Sequence, residues 1–263
     1  MRNIKDEKEI AVIRKASQLA GLGIMEAIRS TKPGVREYQL EAAAKFVFNN
    51  NGARGLGYSA TVGGGENAFF GHYSANADPL QDGDLVLMDL APDYHYYTSD
   101  IARTWPVNGT YSKDQQDLYG FVIEHHKALM RHIRPGITSD QVLAAAAADM
   151  RKVFDKMTFS KEIYRKACEE AFAFNGHFQH PVGMAVHDVG KQKHIPLEVG
   201  MVFSIDPMIW VREEKLYIRM EDVVVVTNDG VEILSANLPV EMADLEALWR
   251  EEGIVQKRPA IFD

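Results

Sequence analysis

The chain has 263 residues, of which 46% are hydrophobic and 25% are charged, and its formal net charge is −8. This size and apolar content suffice for one large core or for two fused halves. The acidic balance without a basic stripe argues against a nucleic-acid partner, and no apolar stretch reaches the ~18 residues that span a bilayer. With no apolar leader in residues 1–9 and a lone Cys168, we expect a soluble, cytoplasmic protein with no membrane partner.

The sequence predicts helices followed by strands, and this order occurs twice along the chain. Asp6 and Glu9 have capping-box spacing, and apolar residues then recur at helical intervals until Pro33-Gly34. A second helix is predicted over residues 37–48. From residue 58 to residue 107, short apolar runs separated by Gly, Pro and Asp predict strands and hairpins. The remaining predictions are strands over 85–90 and 96–105, helical segments over 113–154 and 161–174, strands over 201–210 and 216–226, and a helix from Pro239 to about Arg250.

Two blocks of sequence recur in the same order. The block from Pro33-Gly34 matches the block from Pro135-Gly136 at an offset of 102, and Asp89 and Asp206 follow similar Pro-Leu segments at an offset of 117. Chance is the alternative, since Pro-Gly pairs and Ala runs are common. Otherwise the blocks predict one domain over residues 1–263 with two similar halves, about residues 28–107 and 129–226.

Each half would contribute a pair of carboxylates, Asp89 with Asp100 and Asp206 with Glu221. Three of these acids stand in or beside apolar strand segments, where a carboxylate costs several kcal/mol unless it is paired or bound to metal. Alone, each would be read equally well as a strand-end or turn residue. Four acids that converge on one cavity would repel one another unless cations lay among them, and this favours a metal site.

Three histidines, His177, His180 and His187, lie close together in the second half. A single histidine there would more often be a core or surface residue, but three beside four unusual acids favour ligands. Carboxylates with one imidazole suit Mn²⁺, Fe²⁺, Co²⁺ or Zn²⁺ better than Ca²⁺. Two such ions ~3.5–4 Å apart would hold a hydroxide and polarise a carbonyl, so the sequence predicts a two-metal hydrolase.

The ordered set of acids and histidines resembles the pita-bread metallopeptidases, which include methionine aminopeptidase, aminopeptidase P and prolidase. The matching segments are His72 followed by Asp89 and Asp100, His180-Pro-Val-Gly-Met-Ala-Val-His187, Gly200 to Pro207, and Ile218 to Asp222. The resemblance implies an α+β fold of two pseudo-symmetric halves, with outer helices around a curved antiparallel sheet. His187-Asp188-Val189-Gly190, Arg219 and Arg103-Thr104-Trp105 are similar to the aminopeptidase P and prolidase branch.

That resemblance also implies a set of roles. Asp89 would bind one divalent ion and His180 with Asp206 the other, Mn²⁺ being the first choice, while Asp100 and Glu221 would bridge the two. His72 and His187 would hold the substrate and stabilise the tetrahedral intermediate, Asp206 would take a proton from the attacking water, and Arg219 would lie behind the ligands. The substrate would be a short peptide that is cleaved after its first residue, preferably before proline.

Two departures from the family pattern bear on these roles. The family usually has Glu-Pro-Gly where this chain has Asp206-Pro207-Met208, so that one metal position is expected to be weaker or the proton transfer altered. The chain also begins where the catalytic domains of this branch begin, and we expect either a fragment or a compact member of the branch.

Two other readings of the sequence stay open, and both keep the pita-bread fold. One is another metal-dependent hydrolase or lyase activity, and the other is a metal-free binding module. All five ligand positions carry Asp, Glu or His, which argues against the module. A homodimer is compatible with the sequence.

Overall fold

The structure is a computed structural model that describes residues 2–176, 179–190 and 194–260. Its first half begins with two packed helices, α1 (Glu7–Ser30) and α2 (Glu37–Asn50). The predicted capping box is present, since the Asp6 side chain accepts from the Glu9 amide at 2.9 Å and Glu9 accepts from the Asp6 amide at 2.8 Å. The apolar residues that follow at helical spacing lie on one side of α1, and this side is buried.

An antiparallel sheet follows these helices in the order β1-β2-β3. Its strands are β1 (Thr61–Gly64), β2 (Leu85–Asp89) and β3 (Ala102–Pro106), and a 3-10 helix, Gly65–Phe69, comes directly after β1. All residues of β2 and β3 are buried. Their apolar runs are therefore explained by burial on both faces.

The second half repeats helices before strands. Its helices are α3 (Lys113–His132), α4 (Ser139–Phe154) and α5 (Glu162–Ala173). Its strands are β4 (Val202–Ile205), β5 (Met208–Val211), β6 (Leu216–Arg219), β7 (Asp222–Thr227) and β8 (Gly230–Ile233); β4, β7 and β8 form one antiparallel sheet, and β5 pairs with β6. The helices α6 (Met242–Trp249) and α7 (Ile254–Lys257) then contact α1.

Each half contains the same backbone contact between its helical region and its strand region. Gly34 donates to the Leu80 carbonyl at 2.8 Å, and Gly136 donates to the Leu197 carbonyl at 2.8 Å. Both glycines have positive φ, +87° and +85°, a conformation that residues with a Cβ rarely adopt. The Pro-Gly pairs that marked the sequence repeat are therefore equivalent turns.

The halves are joined through their strands. Ala102 and Glu221 exchange two backbone hydrogen bonds, at 3.2 and 2.9 Å. A hydrophobic core runs through both halves and includes residues such as Ile24, Trp105 and Val224. Cys168 is free and buried, and no helix of the described residues is both long and apolar enough to cross a membrane.

Some predicted boundaries were wrong for identifiable reasons. The helical segment over 113–154 is interrupted after His132, because Pro135 lacks an amide donor and Gly136 turns the chain. The strand over 96–105 begins only at Ala102, since His95 and Tyr96 have positive φ in a turn. The helix expected from Pro239 begins at Met242. The strands over 201–210 and 216–226 each divide in two, at 206–207 and 220–221. The strands predicted between residues 58 and 107 include β1, although without bounds of its own, whereas β8 was not predicted.

Candidate metal centre

A cavity of about 690 Å³ takes its lining from both halves of the chain. Every predicted site residue within the described part of the chain lines it: His72, Asp89, Asp100, His180, His187, Asp206, Arg219 and Glu221. His177, which was grouped with His180 and His187 in the sequence, lies outside the described residues. The fold therefore brings together groups that are far apart along the chain.

Three buried carboxylates form the centre of this cavity. Asp89 is the last residue of β2, Asp100 precedes β3, and Glu221 lies between β6 and β7. One oxygen from each lies within 4.8 Å of the others. His180 Nε2 lies 3.1 Å from Asp100 Oδ2 and 3.6 Å from Glu221 Oε1, so an imidazole is placed beside the carboxylates.

The carboxylates outnumber the cations beside them, and their pKa values reflect this. Burial and the charges of Glu221 and Asp89 raise the pKa of Asp100 well above its usual range. Burial also favours the neutral form of Glu221, but Arg219 and His180 outweigh it and hold the pKa of Glu221 below its usual value. For His180, burial opposes the charged form, yet Asp100 and Glu221 raise its pKa to about 10. Protons therefore offset the surplus negative charge in the metal-free site.

The chemistry of the donor set fits a metal. Among the described residues, Glu221 Oε2 and Arg219 Nε are buried without a hydrogen bond, and 3.6 Å separates them. Buried polar atoms without partners are rare in folded proteins. Hard carboxylate oxygens in excess, one of them unpartnered, with an imidazole alongside, are the chemistry that divalent cations such as Mn²⁺ or Zn²⁺ bind.

Asp206 lies at the edge of this arrangement. It directly follows β4 and lines the cavity, but it is partly exposed. Among the described residues, two groups have donor atoms within 4.8 Å of one another, Asp89 with Asp100 and Glu221, and Asp100 with His180 and His187, and Asp206 belongs to neither. Burial and the charge of Glu221 raise the pKa of Asp206 to about 8. Its role as a fifth ligand stays a prediction.

The histidines His72 and His187 are exposed at the mouth of the cavity. The His187 ring makes an edge contact with His180, with 4.3 Å between the ring centroids. Burial and the charge of His180 lower the pKa of His187, so that its imidazole is neutral near pH 7. A neutral imidazole can donate one N–H to a substrate oxygen.

Sequence reasoning missed the tyrosine that contacts two of the acids. The Tyr58 hydroxyl lies 2.8 Å from Oδ1 of Asp89 and 2.8 Å from Oδ1 of Asp100, while Arg219 pairs with the other oxygen of Asp89. Burial and the carboxylate charges raise the pKa of Tyr58 well above its usual value, so it is a hydrogen-bond donor here. It precedes β1 in a loop, where no periodicity or spacing distinguishes it.

An apolar wall beside the acids was also missed. The Trp210 and Tyr217 rings lie 4.0 Å apart between centroids, and the Tyr217 hydroxyl donates to Met208 Sδ at 3.2 Å. Met208 stands where the family pattern has glycine, so its side chain occupies part of the wall that would otherwise be open.

Comparisons with known proteins agree with this geometry. Residues 11–228 match the model of metallopeptidase family M24. An Xaa-Pro aminopeptidase from Haemophilus influenzae is 34% identical, over 94% of this chain and 61% of its own length. An Xaa-Pro dipeptidase from Pyrococcus horikoshii is 30% identical, over 88% of this chain and 62% of its own.

The structural comparison gives the same result. Zinc-substituted Escherichia coli aminopeptidase P in complex with product is 33% identical and has a TM-score of 0.82, covering 95% of this chain and 60% of that one. The predicted α+β pita-bread fold is thereby confirmed. The chain spans about three fifths of the length of these relatives.

Proposed function

We propose, since the chain belongs to metallopeptidase family M24, that it is a dinuclear metal-dependent exopeptidase acting on short peptides. The expected reaction is release of the N-terminal residue, preferably when proline follows it, as the names of the Haemophilus and Pyrococcus relatives suggest. The observation that carries the proposal is the buried group of Asp89, Asp100 and Glu221, whose oxygens lie within 4.8 Å of one another beside His180.

Two divalent ions, when bound, would activate a water molecule and polarise the peptide carbonyl. We assign Asp89, Asp100, His180, Asp206 and Glu221 as their ligands, and Mn²⁺ as the first choice of metal. Arg219 and Tyr58 would hold the carboxylates in orientation, because Arg219 pairs with Asp89 and Tyr58 contacts both Asp89 and Asp100. Such partners of metal ligands typically change affinity or activity by ~10–100-fold.

The remaining residues would act on the peptide. His187 would donate its N–H to the oxygen that becomes negative in the transition state, an effect worth ~10²–10³ in rate. His72, at the same mouth, would hold the substrate. The Asp206 carboxylate would accept the proton of the attacking water, and Met208, Trp210 and Tyr217 offer apolar surface against which a proline ring can pack.

The test is hydrolysis of a small peptide panel by the chain loaded with Mn²⁺. The panel holds an Xaa-Pro dipeptide, an Xaa-Pro-Xaa tripeptide and a Met-Ala-Xaa tripeptide, with products identified by mass spectrometry. We expect cleavage of the tripeptide or dipeptide with proline, and loss of cleavage after chelation. Preference between these two peptides distinguishes an aminopeptidase from a dipeptidase.

Other outcomes point to the alternatives. Two bound metals without cleavage of any peptide would favour another hydrolase or lyase activity, whereas a properly folded chain that binds no metal would favour a binding module. Metal content after purification, compared among Mn²⁺, Co²⁺, Zn²⁺ and Fe²⁺, tests the choice of ion.

Three further expectations concern the whole protein. We propose that residues 1–263 act as one catalytic domain, that the protein works in the cytoplasm, and that it forms a homodimer. Sedimentation velocity distinguishes a dimer from a monomer, a single cooperative unfolding transition supports one domain, and cell fractionation tests the location.

A further inference from the structure

A short segment before α1 lies against the loop that carries His187. We call residues 2–5 the strap. Ile4 pairs with Met201, and the Lys5 amide donates to the Gly200 carbonyl at 2.8 Å. A Cβ at Gly190 would lie only 2.6 Å from Asn3 Oδ1. The strap therefore lies against this loop, and the Asn3 side chain would have to move if residue 190 carried a Cβ.

Charged side chains connect the strap to the neighbour of His187. Asp188 has one oxygen paired with Arg2 and the other 3.7 Å from Lys5 Nζ. The side chains of Lys5 and Asp188 are 1% and 2% exposed, whereas that of Arg2 is 48% exposed. The buried contact is therefore between Lys5 and Asp188.

Lys5 is an unusual group for such a position. Its Nζ is buried and makes no hydrogen bond within the described residues. Burial lowers the pKa of Lys5, and the charge of Asp188 offsets part of this effect. A buried ion pair of this kind is weak evidence for stability, and its best-attested use is to select one geometry.

Asp188 also bonds to the start of the loop that joins His180 to His187. Its amide donates to the Pro181 carbonyl at 2.8 Å, and its Oδ1 accepts from the Val189 amide at 2.8 Å. Around it the loop has little packing, since Met184 and Val189 are 53% and 57% exposed. His187, the residue before Asp188, is therefore next to the point at which this loop is anchored.

We propose that Lys5 is a positioning residue, which through Asp188 fixes His187 for the reaction, so that the strap is a working part of the active site. The kinetic form of this inference rests on the proposed peptidase function. The structural form, that Lys5 orders the loop, does not. The two can therefore fail separately.

The kinetic test uses Lys5→Met in the metal-loaded chain, with Lys8→Met as a matched control at an exposed position three residues on. Because His187 acts on the transition state, we expect Lys5→Met to lower kcat by about tenfold and to leave KM within about twofold. Lys8→Met should behave as wild type. An unchanged kcat, or a change in KM alone, would overturn the proposal.

A double-mutant cycle separates positioning from general destabilisation. In a His187→Ala background, Lys5→Met should lower kcat no further, because the residue through which it acts is gone. A full additive loss would show that Lys5 acts independently of His187. If Lys5→Met does not fold, Asp188→Asn, which keeps the side-chain shape, replaces it in the same cycle.

Hydrogen exchange in the metal-free protein supplies a readout without activity. Amides of residues 182–190 should exchange faster in Lys5→Met than in wild type, while those of α3 keep the same rate. Equal exchange of the loop in both proteins would refute the structural form. If wild type cleaves none of the panel peptides, the proposed function fails, and the exchange result still decides whether Lys5 orders the loop.

Discussion

Two adjacent acids, Glu221 and Asp222, face different surroundings where β7 begins. Asp222 meets a buried network: Arg103 donates to it at 2.8 Å, His126 Nε2 lies 3.0 Å away, and Ser235 donates to it as well. Glu221 faces the cavity, where it lies beside Asp89 and Asp100, and the nearest cationic atoms, Arg219 Nε and His180 Nε2, are 3.6 Å from its oxygens. Successive strand side chains point to opposite faces, so the two acids separate naturally.

The comparison shows what distinguishes a structural carboxylate from a functional one. Both acids are about 1% exposed, so burial alone does not tell them apart. In the Asp222 network, the protein supplies the opposing charge. Around Glu221, four carboxylates share one arginine and one imidazole, and the imbalance is what points to a cation.

The largest expected effect comes from Glu221→Gln. Removing this carboxylate from the centre of the cluster should abolish tight binding of two ions and lower turnover by ~10³ or more, because metal-ion catalysis supplies several kcal/mol. The metal-free protein should also lose some stability, because Arg219 and His180 favour the ionised form of Glu221 and lower its pKa. Metal titration, steady-state kinetics and denaturant unfolding measure the three quantities.

The neighbouring acid provides the contrast, and a surface acid the control. Asp222→Asn leaves the buried Arg103 without its opposing charge and should destabilise the fold by about 3–5 kcal/mol, with little change in metal binding by the folded fraction. Glu232→Gln, on strand β8, removes a partly exposed ion pair with Arg14, so it should cost at most about 1 kcal/mol of stability and leave metal binding and turnover as in wild type. Tight binding of two ions by Glu221→Gln would contradict the assignment of Glu221 as a metal ligand.

A second variant tests the mouth of the cavity. His187→Ala should keep both metals and lose ~10²–10³ in kcat, because the lost N–H stabilises the transition state alone. His132→Ala, which removes a partly exposed imidazole paired with Asp149, is the control. Loss of metal with unchanged turnover per bound metal would instead identify His187 as a ligand.

The pH dependence of stability should differ in sign between the two regions. Asp222 has a pKa of about 2 against an ordinary 3.8, because Arg103 and His126 outweigh the effect of burial, so it stabilises above pH 4 and loses about 2 kcal/mol below it. Asp206, raised from 3.8 to about 8, keeps a proton in the native state that the unfolded chain releases. The contribution of Asp206 to the free energy of unfolding therefore falls as pH rises from about 4 to 8. The contribution of His180, whose pKa is raised, falls above pH 6.5.

Denaturant unfolding of the metal-free protein measures these effects. Buried His125, whose pKa is lowered to about 4, adds stability as pH rises to about 6.5, so the test range lies above this value. Between pH 6.5 and 8 we expect a loss of at least about 1.4 kcal/mol, the equivalent of one pKa unit, and a smaller loss in Asp206→Asn. Saturating Mn²⁺ should remove the loss, because the cation replaces the protons. Constant stability over this range without metal would contradict the inferred charge surplus.

The smallest effect is expected from Asp206→Glu. The shorter Asp withdraws its carboxylate by ~1.5 Å, while metal–ligand distances tolerate about 0.2 Å. In wild type the ion shared with His180 should be the weaker of two, and Asp206→Glu should bind it about tenfold more tightly and raise the peptidase rate. Equal, tight binding of two ions by wild type, with no gain in the variant, would show that the backbone at Pro207-Met208 compensates.

The sequence predicted which residues line the cavity better than it predicted the strands around it. Asp206 and Glu221 were singled out because a carboxylate among apolar residues is anomalous in a helix, a strand or a loop alike. The strand interruptions at these two positions were not predicted, because the apolar pattern continues on both sides of each acid. Tyr58 and Lys5 were missed because their partners lie far along the chain, and only tertiary contacts reveal them.

The paired hydrogen bonds between Ala102 and Glu221 also bear on how the protein folds. They join segments more than a hundred residues apart, so the cavity can close only after both halves have been synthesised and have met. Contacts of such long range are slow to form, which makes docking of the halves a natural kinetic bottleneck. A cation that binds only the closed form would add about 2.7 kcal/mol to the stability of that form at a hundredfold excess over its Kd. After chelation, the segments around Ala102 and Glu221 should become accessible to proteases before the rest of the chain.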